Sequence, residues 1–223
     1  MNVVVFFDVD NTLLDNDRVA DDLRRHLDAD VGEESGRRYW ELFEELREQL
    51  GYADYLGALQ RYRDAHPVDL RILSVSHFLV SYPFANRLFP GSLDAVDHAK
   101  ELGSAAILSD GDVVFQPRKI HRSGLFDAFD ARVLVYIHKE HELDDVEARM
   151  PADHYVLVDD KVRILAAVKE TWGDRVTTVW PRQGHYALDV AEVAHYPVPD
   201  VTIERIGDFV DLHVEGLLAA AQR

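Results

Sequence analysis

Short apolar runs, separated by helical patterns, restrict the fold of this chain more than any other property of its sequence. The run Val3–Phe7 is β-branched and aromatic without polar alternation, which is typical of a strand buried on both faces of a parallel sheet. Alternation of such strands with helices predicts an α/β fold with a doubly wound, mostly parallel sheet. The further predicted strands are residues 105–108, 132–137, 155–158, 176–180 and 201–203, and the predicted helices are residues 93–102, 162–172 and 208–221.

Residues 15–88 interrupt this alternation. They contain no convincing strand, and residues 37–50 and 52–65 carry apolar side chains at helical spacing. The aromatic side chains of this segment are predicted to form the core of a helical bundle rather than a ligand site. We therefore expect an α/β core domain from residues 1–14 and 89–223, with residues 15–88 inserted into it as a helical domain.

The charge of the chain argues against two classes of partner. Its 41 acidic and 24 basic residues give a formal net charge of -17, which repels nucleic-acid backbones and anionic membranes. No cysteine is present, so thiolate catalysis and cysteine-ligated zinc are excluded. The apolar run at residues 1–7 is too short for a signal peptide or a membrane anchor. These observations predict a cytoplasmic protein without nucleic-acid or membrane partners.

Two carboxylates follow the first predicted strand directly, in the sequence Asp8-Val9-Asp10-Asn11-Thr12. Ligands of α/β sheets bind beyond the carboxyl ends of the strands. Neighbouring carboxylates there repel each other, and a metal ion or a shared proton relieves the repulsion. Asp8 is therefore a candidate nucleophile and metal ligand, and Asp10 is a candidate proton donor. Asn11 and Thr12 are candidate phosphate-binding residues, although an Asp-Asn-Thr turn with helix caps would use the same side chains.

Three later strand ends carry side chains that suit the same chemistry. Ser109, followed by Asp110, ends the second predicted strand and is a candidate phosphate-binding site. Lys139 follows the third strand, where a lysine can hold a phosphoryl group. Asp159 and Asp160 end the fourth strand and offer oxygen ligands to a hard cation. Each signal alone is also typical of an ordinary strand end, so the prediction depends on their combination.

In this order along the chain, the four segments resemble the four motifs of the haloacid dehalogenase (HAD) superfamily. The resemblance covers the whole chain, and the helical insertion resembles the C1-type cap of that superfamily. It implies a Rossmann-like core, a Mg²⁺ cofactor and an aspartyl-phosphate formed on Asp8. It also implies that Asp10 is the general acid/base, with its backbone carbonyl on the metal.

The same resemblance assigns roles at the other three motifs. Ser109 and Lys139 resemble the phosphate clamp, and Asp160 resembles the third metal ligand. Asp159 stands where the family usually has glycine, and we expect it to act on the metal through water. The acid that often follows a few residues later is absent, since Lys161 and the residues after it take that place. Metal affinity is the property that this departure affects.

Several alternatives remain open at the level of the sequence. Lys119 is a rival of Lys139 for the clamp, and Arg182 or His185 are candidates for the lining of the site. The resemblance implies a Mg²⁺-dependent phosphomonoesterase for a small phosphorylated metabolite, acting as a monomer or homodimer. A phosphomutase of the same fold and a catalytically weak HAD-like binding domain are the alternatives.

Overall fold

The sheet predicted from the apolar runs is present in the computed structural model of the protein, which describes residues 1–222. Six strands run parallel in the order β3-β2-β1-β4-β5-β6. The doubly wound α/β class is thereby confirmed. The strands are β1 (Val3–Phe7), β2 (Ser104–Asp110), β3 (Val133–Tyr136), β4 (His154–Val158), β5 (Val176–Pro181) and β6 (Val201–Ile203).

Helices surround the sheet and fill the insertion. Four of them lie between β1 and β2 before the chain returns to the core: α1 (Asn16–His26), α2 (Glu33–Leu50), α3 (Tyr55–Ala65) and α4 (Ile72–Ser81). A π-helical turn, Leu27–Val31, joins α1 to α2. The remaining helices are α5 (Ser92–Leu102), α6 (Phe115–Ser123), α7 (Leu125–Ala128), α8 (Leu143–Arg149), α9 (Val162–Trp172), α10 (Gly184–Leu188), α11 (Val190–Val193) and α12 (Val214–Ala220), with 3-10 turns at Phe84–Arg87, Lys139–His141, Gly173–Arg175 and Ile206–Asp211.

The position of β1 explains where a site can form. β1 pairs with β2 on one side and with β4 on the other, and the strand order reverses direction there, which is where α/β sheets bind ligands. All five residues of β1 are buried, with Val5 and Phe7 facing one apolar cluster and Val4 and Phe6 facing the other. The residues after β1, β2 and β4 are thereby brought to one edge.

The insertion is a helical bundle that also packs on the core. The Tyr39 hydroxyl donates to the Tyr55 carbonyl oxygen over 2.9 Å, and the rings of Phe43 and Tyr55 lie 4.7 Å apart. Tyr55 in turn packs on Phe115 of α6, with 5.5 Å between ring centroids. The predicted bundle core is present, but one of its edges faces the rest of the protein rather than solvent.

Two adjacent segments connect the insertion to the sheet. The Asp15 N–H donates to the Arg87 carbonyl oxygen over 2.7 Å, and Leu14 forms an antiparallel bridge with Leu88. A little further along, the Phe89 N–H donates to the Leu13 carbonyl oxygen over 2.9 Å. The chain therefore leaves the core and returns to it side by side, next to the first motif.

One helix predicted from the sequence is interrupted in the structure. The helix predicted over residues 208–221 is broken into the 3-10 turn Ile206–Asp211 and α12. Leu212 and His213, which separate them, have extended backbone angles, so the apolar periodicity continued across a non-helical step. No helix in residues 1–222 is long and apolar enough to span a membrane.

Candidate active site

The loop after β1 is built so that its carboxylates face the sheet edge. The Asp8 N–H donates to the Val158 carbonyl oxygen over 2.9 Å, which extends the pairing with β4 by one residue. Asn11 then adopts a left-handed backbone angle, φ 59°, a conformation that asparagine tolerates better than most residues. The N–H groups of Leu13 and Leu14 both return to the Val9 carbonyl oxygen. This tight turn places Asp8 at the buried edge of the sheet and Asp10 at the lining of the cleft.

Asp8 is buried and contacts a lysine and a serine from two other strand ends. Its Oδ1 accepts a hydrogen bond from Lys139 Nζ over 2.6 Å and one from Ser109 Oγ over 3.1 Å. Oδ2 accepts no hydrogen bond from residues 1–222. The structure therefore brings together Asp8, Ser109 and Lys139 as the sequence predicted, and it leaves one carboxylate oxygen of Asp8 free to react.

Lys139 is a fully buried cation between carboxylates. Its Nζ lies 2.6 Å from Asp159 Oδ2 as well as from Asp8, and it donates to the Leu108 carbonyl oxygen over 3.0 Å. Burial alone would lower the pKa of Lys139, but the Asp159 and Asp8 carboxylates outweigh it and hold the pKa well above the usual value. Lys139 is therefore a permanent positive charge beside the Asp8 carboxylate.

Ser109 and Asp110 differ in what they offer. Ser109 Oγ also accepts a hydrogen bond from Gln116 Nε2 over 3.0 Å, which orients the hydroxyl. Asp110 Oδ1 accepts the backbone N–H of Lys139 over 2.9 Å. An ionised carboxylate is an acceptor only, so Asp110 cannot hold a phosphate oxygen with that side chain. The Asp110 side chain therefore positions Lys139, and the phosphate contact predicted for this residue stays a prediction.

Three carboxylates form the candidate metal site. Ligand atoms of Asp8, Asp159 and Asp160 all lie within 4.8 Å of one another. Both carboxylate oxygens of Asp160 are buried without any hydrogen-bond partner in the described chain. Such groups are costly unless a cation is present, so these residues fit a hard divalent ion with oxygen ligands.

Burial and mutual repulsion of these carboxylates also raise the pKa values of Asp159 and Asp160. Burial, together with the neighbouring Asp8 charge, raises the pKa of Asp159 to about 6, against the opposing effect of Lys139. Burial and the Asp159 charge raise the pKa of Asp160 well above its usual value. Thr12 supports the cluster by a different route, because its Oγ1 accepts the Asp160 N–H over 3.1 Å. Thr12 therefore supports the segment that carries Asp159 and Asp160, and its side chain is fully buried.

Asp10 is held by the second lysine. Lys119 Nζ contacts both carboxylate oxygens of Asp10 at 2.7 Å and also donates to Asn16 Oδ1 over 3.0 Å. Lys119 is 1% exposed and lies in the middle of α6 rather than at its start. Lys139 thus contacts Asp8, whereas Lys119 holds Asp10 at the cleft; the phosphate clamp on Lys139 stays a prediction.

The Asn11 side chain is used for structure. Its Oδ1 accepts the N–H groups of Asn16 and Asp17 over 3.0 and 3.2 Å, at the beginning of α1. Its Nδ2 donates to Asp17 Oδ1 over 3.0 Å and contacts His185 Nδ1 at 3.3 Å, while the Asn11 backbone N–H donates to the Leu14 carbonyl oxygen. We correct its predicted phosphate contact accordingly: Asn11 joins the core, the insertion and the loop after β5.

Asn11→Ala should therefore destabilise the protein by about 2 kcal/mol, because it removes the side-chain hydrogen bonds to the first two N–H groups of α1 and because alanine tolerates the left-handed conformation less well than asparagine. Urea unfolding followed by circular dichroism measures the change. Asn86→Ala is the matched control, since Asn86 is exposed and forms no side-chain hydrogen bond within residues 1–222. Equal unfolding midpoints for the two variants would contradict the assignment.

A cleft of about 480 Å³ opens between the insertion and the sheet edge. Its floor includes Asp10, Lys119 and Asp110, and its roof includes Trp40, Phe43 and Tyr55. Burial and the nearby Asp10 carboxylate raise the pKa of Tyr55 well above its usual value, so its hydroxyl remains a hydrogen-bond donor. Trp40 and Phe43, which the sequence assigned to the bundle core alone, thus also line the cleft.

Sequence reasoning missed the residues that support the loop after β1. Gln183 Nε2 donates to the carbonyl oxygens of Asn11 and Thr12 over 3.2 and 2.7 Å, and its Oε1 accepts the Ile206 N–H. Asp17 Oδ1 lies 2.5 Å from His185 Nδ1. The only available signal for Gln183 was its position just after a strand, whereas His185, a candidate from the sequence for the lining of the site, does line the cleft. Arg182, by contrast, points to Glu204 at 3.3 Å and does not line the cleft.

Comparison with known proteins agrees with this architecture. Residues 3–170 match the family of haloacid dehalogenase-like hydrolases. A proposed haloacid dehalogenase-like hydrolase from Burkholderia xenovorans LB400 is 60% identical, with a TM-score of 0.92 over 96% of this chain and 99% of that chain. No curated protein matches the sequence.

Two more distant structures share the fold alone. L-2-haloacid dehalogenase from Xanthobacter autotrophicus, with chloropropionic acid covalently bound, is 20% identical, with a TM-score of 0.62 over 95% of this chain and 98% of that chain. A HAD-hydrolase from Bacillus subtilis bound to magnesium is 16% identical, with a TM-score of 0.63 over 94% and 97% of the two chains.

Proposed function

Because the chain belongs to the family of haloacid dehalogenase-like hydrolases, we propose that it hydrolyses phosphate monoesters of small metabolites with the help of Mg²⁺. The observation that carries this proposal is the second carboxylate, Asp10, which Lys119 fixes at the floor of the cleft. An alkoxide leaving group needs a proton, and a halide does not. A carboxylate at this position therefore favours a phosphate ester over a haloacid as substrate.

In this proposal Asp8 is the nucleophile. Lys139 and Ser109 hold its Oδ1, so Oδ2 is the oxygen that attacks phosphorus. A P–O bond to Asp8 forms as the bond to the leaving oxygen breaks, and protonated Asp10 gives its proton to the departing alkoxide. Water then attacks the phosphorus of the aspartyl-phosphate, and Asp10 takes the proton of that water. Inorganic phosphate leaves, and both carboxyl groups return to their initial states.

The two lysines and Ser109 supply positioning and charge. Phosphoryl transfer depends mainly on alignment and on neutralising the phosphoryl oxygens. Lys139 stays charged for this purpose because Asp8 and Asp159 surround it. Asp8, Asp159 and Asp160 would hold the metal, and the partnerless oxygens of Asp160 support this assignment. When bound, Mg²⁺ adds positive charge beside the phosphoryl group.

The test is hydrolysis of p-nitrophenyl phosphate, with and without Mg²⁺, beside chloride release from 2-chloropropionate. We expect phosphate release that requires Mg²⁺ and no chloride release. Chloride release without phosphate release would contradict the proposal and establish a dehalogenase. Interconversion of sugar phosphates without net phosphate release would instead establish the phosphomutase. Metal binding without any turnover of a panel of phosphate esters would favour the binding domain.

A further inference from the structure

A basic corner lies at one side of the cleft, formed by Arg47 of α2 and by Lys161 and Arg163 at the start of α9. All three side chains line the main cleft, and all three also line an adjoining cavity of about 270 Å³. Glu192 is the only acidic residue among those that line this second cavity within residues 1–222. In a chain with a net charge of -17, such a concentration of cations creates a local positive field.

Tyr186 joins the insertion and the core at this corner. Arg47 Nη1 donates to the Tyr186 hydroxyl over 3.3 Å. Lys161 Nζ lies 5.0 Å from the centroid of the same ring. One cation from each side of the cleft therefore converges on a single aromatic side chain, and a ligand placed there can contact both.

The three cations differ in how far they are already neutralised. Arg163 lies 2.6 Å from Glu140, and Arg47 lies 2.9 Å from Glu44. The Lys161 ammonium forms neither an ion pair nor a side-chain hydrogen bond with any of residues 1–222. The Arg47–Glu44 pair is about half exposed on both sides, so it holds Arg47 only weakly. Lys161 and Arg47 are thus available to an incoming anion.

The corner is also close to the reacting groups. Lys161 follows Asp160 directly, and its backbone N–H donates to Asp159 Oδ1 over 2.8 Å. A phosphoryl group on Asp8 and an anion at the corner could therefore belong to one small molecule. Two other cations line the cleft: Lys119, whose Nζ is paired with both carboxylate oxygens of Asp10, and Arg24, which lies 3.5 Å from Asp21 and over the Trp40 ring.

We propose that the leaving group of the substrate carries a second anionic group, a carboxylate or another phosphate, which Arg47 and Lys161 bind at the basic corner. This inference rests on the proposed phosphatase function and narrows its substrate class to short phosphate esters that carry a second anionic group. The phosphoryl group is transferred at Asp8, and the second anion stays at the corner until the product leaves.

Matched esters test the proposal. The probes are ω-carboxyalkyl phosphates with chains of two to five carbons, the ω-hydroxyalkyl phosphates of equal length, and the corresponding bisphosphates. We expect kcat/KM for an ester with a second anionic group to exceed that of the hydroxyl ester at least about tenfold at the best chain length, since a hydrogen bond to a charged group has that effect. The carboxyl and bisphosphate series show which anion is preferred. Equal kcat/KM values for the esters with and without a second anionic group would overturn the proposal.

Two arginines of α2 provide the variant and its control. Arg47→Gln should reduce the preference for the ester with the second anionic group about tenfold. Arg38→Gln should leave it unchanged, because Arg38 has nearly the same exposure and an equivalent glutamate partner at 2.9 Å, Glu41, but does not line the cleft. An unchanged preference in Arg47→Gln would exclude Arg47 from the site and overturn the proposal.

Binding separates this inference from the proposed function. In the presence of Mg²⁺, the non-hydrolysable 3-carboxypropylphosphonate should raise the Tm of the wild type more than 3-hydroxypropylphosphonate does, and Arg47→Gln should remove the difference. A binding preference without turnover of any ester would reject the phosphatase and retain the anion site. Turnover without a preference in either assay would retain the phosphatase and reject the anion site.

Discussion

Asp8→Asn is expected to lower kcat for phosphate ester hydrolysis by roughly a factor of a thousand or more, as removal of a covalent nucleophile does in other enzymes. The amide cannot form the P–O bond, and it also removes one of the three carboxylates of the candidate metal site. Lys139 keeps Asp159 at 2.6 Å, so the buried cation retains a partner and the variant should fold. The measurement is steady-state hydrolysis at saturating Mg²⁺, with circular dichroism to verify the fold.

Asp21→Asn serves as the control for this variant. Asp21 lines the same cleft, and its carboxylate contacts only Arg24, at 3.5 Å, among the ion pairs of the described chain. We expect its kcat to stay within a few-fold of the wild type. Rapid acid quenching of the wild type during turnover should leave a phosphoryl group on the peptide that contains Asp8. Activity of Asp8→Asn within tenfold of the wild type would rule out the covalent route.

Asp160→Asn should abolish the stabilisation of the protein by Mg²⁺. A ligand at a hundred times its Kd stabilises a folded protein by about 2.7 kcal/mol, which corresponds to roughly 5 to 10 °C in Tm for a chain of this size. Without Mg²⁺ at pH 8, the variant should melt no lower than the wild type, because a buried carboxylate without partners is unfavourable. Thermal melts with and without Mg²⁺ measure both effects. Asp174→Asn, at an exposed carboxylate, should respond to Mg²⁺ as the wild type does.

The pH dependence of this response has a definite sign. The pKa of Asp159 is raised to about 6, and that of Asp160 is also raised well above the usual 3.8. An acid with a raised pKa binds protons more tightly in the folded state, so the metal-free protein loses stability as the pH rises from about 4 through these values. A metal ion must displace those protons, and the Mg²⁺-induced rise in Tm should be larger at pH 8 than at pH 5. An equal rise at both values would contradict this linkage.

The sequence predicted which strand-end side chains lie together, because these signals are local. Each functional side chain ends a buried apolar run, and parallel strands bring their carboxyl ends to one edge whatever the loops do. This suffices to unite Asp8, Ser109, Lys139 and the pair Asp159–Asp160. The strand bounds differ from the prediction by a few residues at most, as at β3 (Val133–Tyr136), where the exposed Ile137 continues the apolar pattern past the end of the strand.

The supporting contacts could not be predicted in the same way. The sequence presented Lys119 as a rival of Lys139 for the clamp, and its pairing with Asp10 depends on which face of α6 turns inward. Asn11 and Gln183 are joined by folding alone, because 172 positions separate them. The position of Arg47 at the cleft could not be predicted either, since nothing in the sequence says where the insertion lies against the sheet.

The paired connection between the insertion and the sheet has a topological consequence. Asp15 and Arg87, joined by a 2.7 Å hydrogen bond, lie next to each other. The four intervening helices are therefore inserted at a single point of an otherwise continuous β–α–β unit. No strand register depends on the length or identity of that branch. The roof of the cleft can therefore change in length or sequence without altering the strand ends that carry Asp8, Ser109 and Lys139.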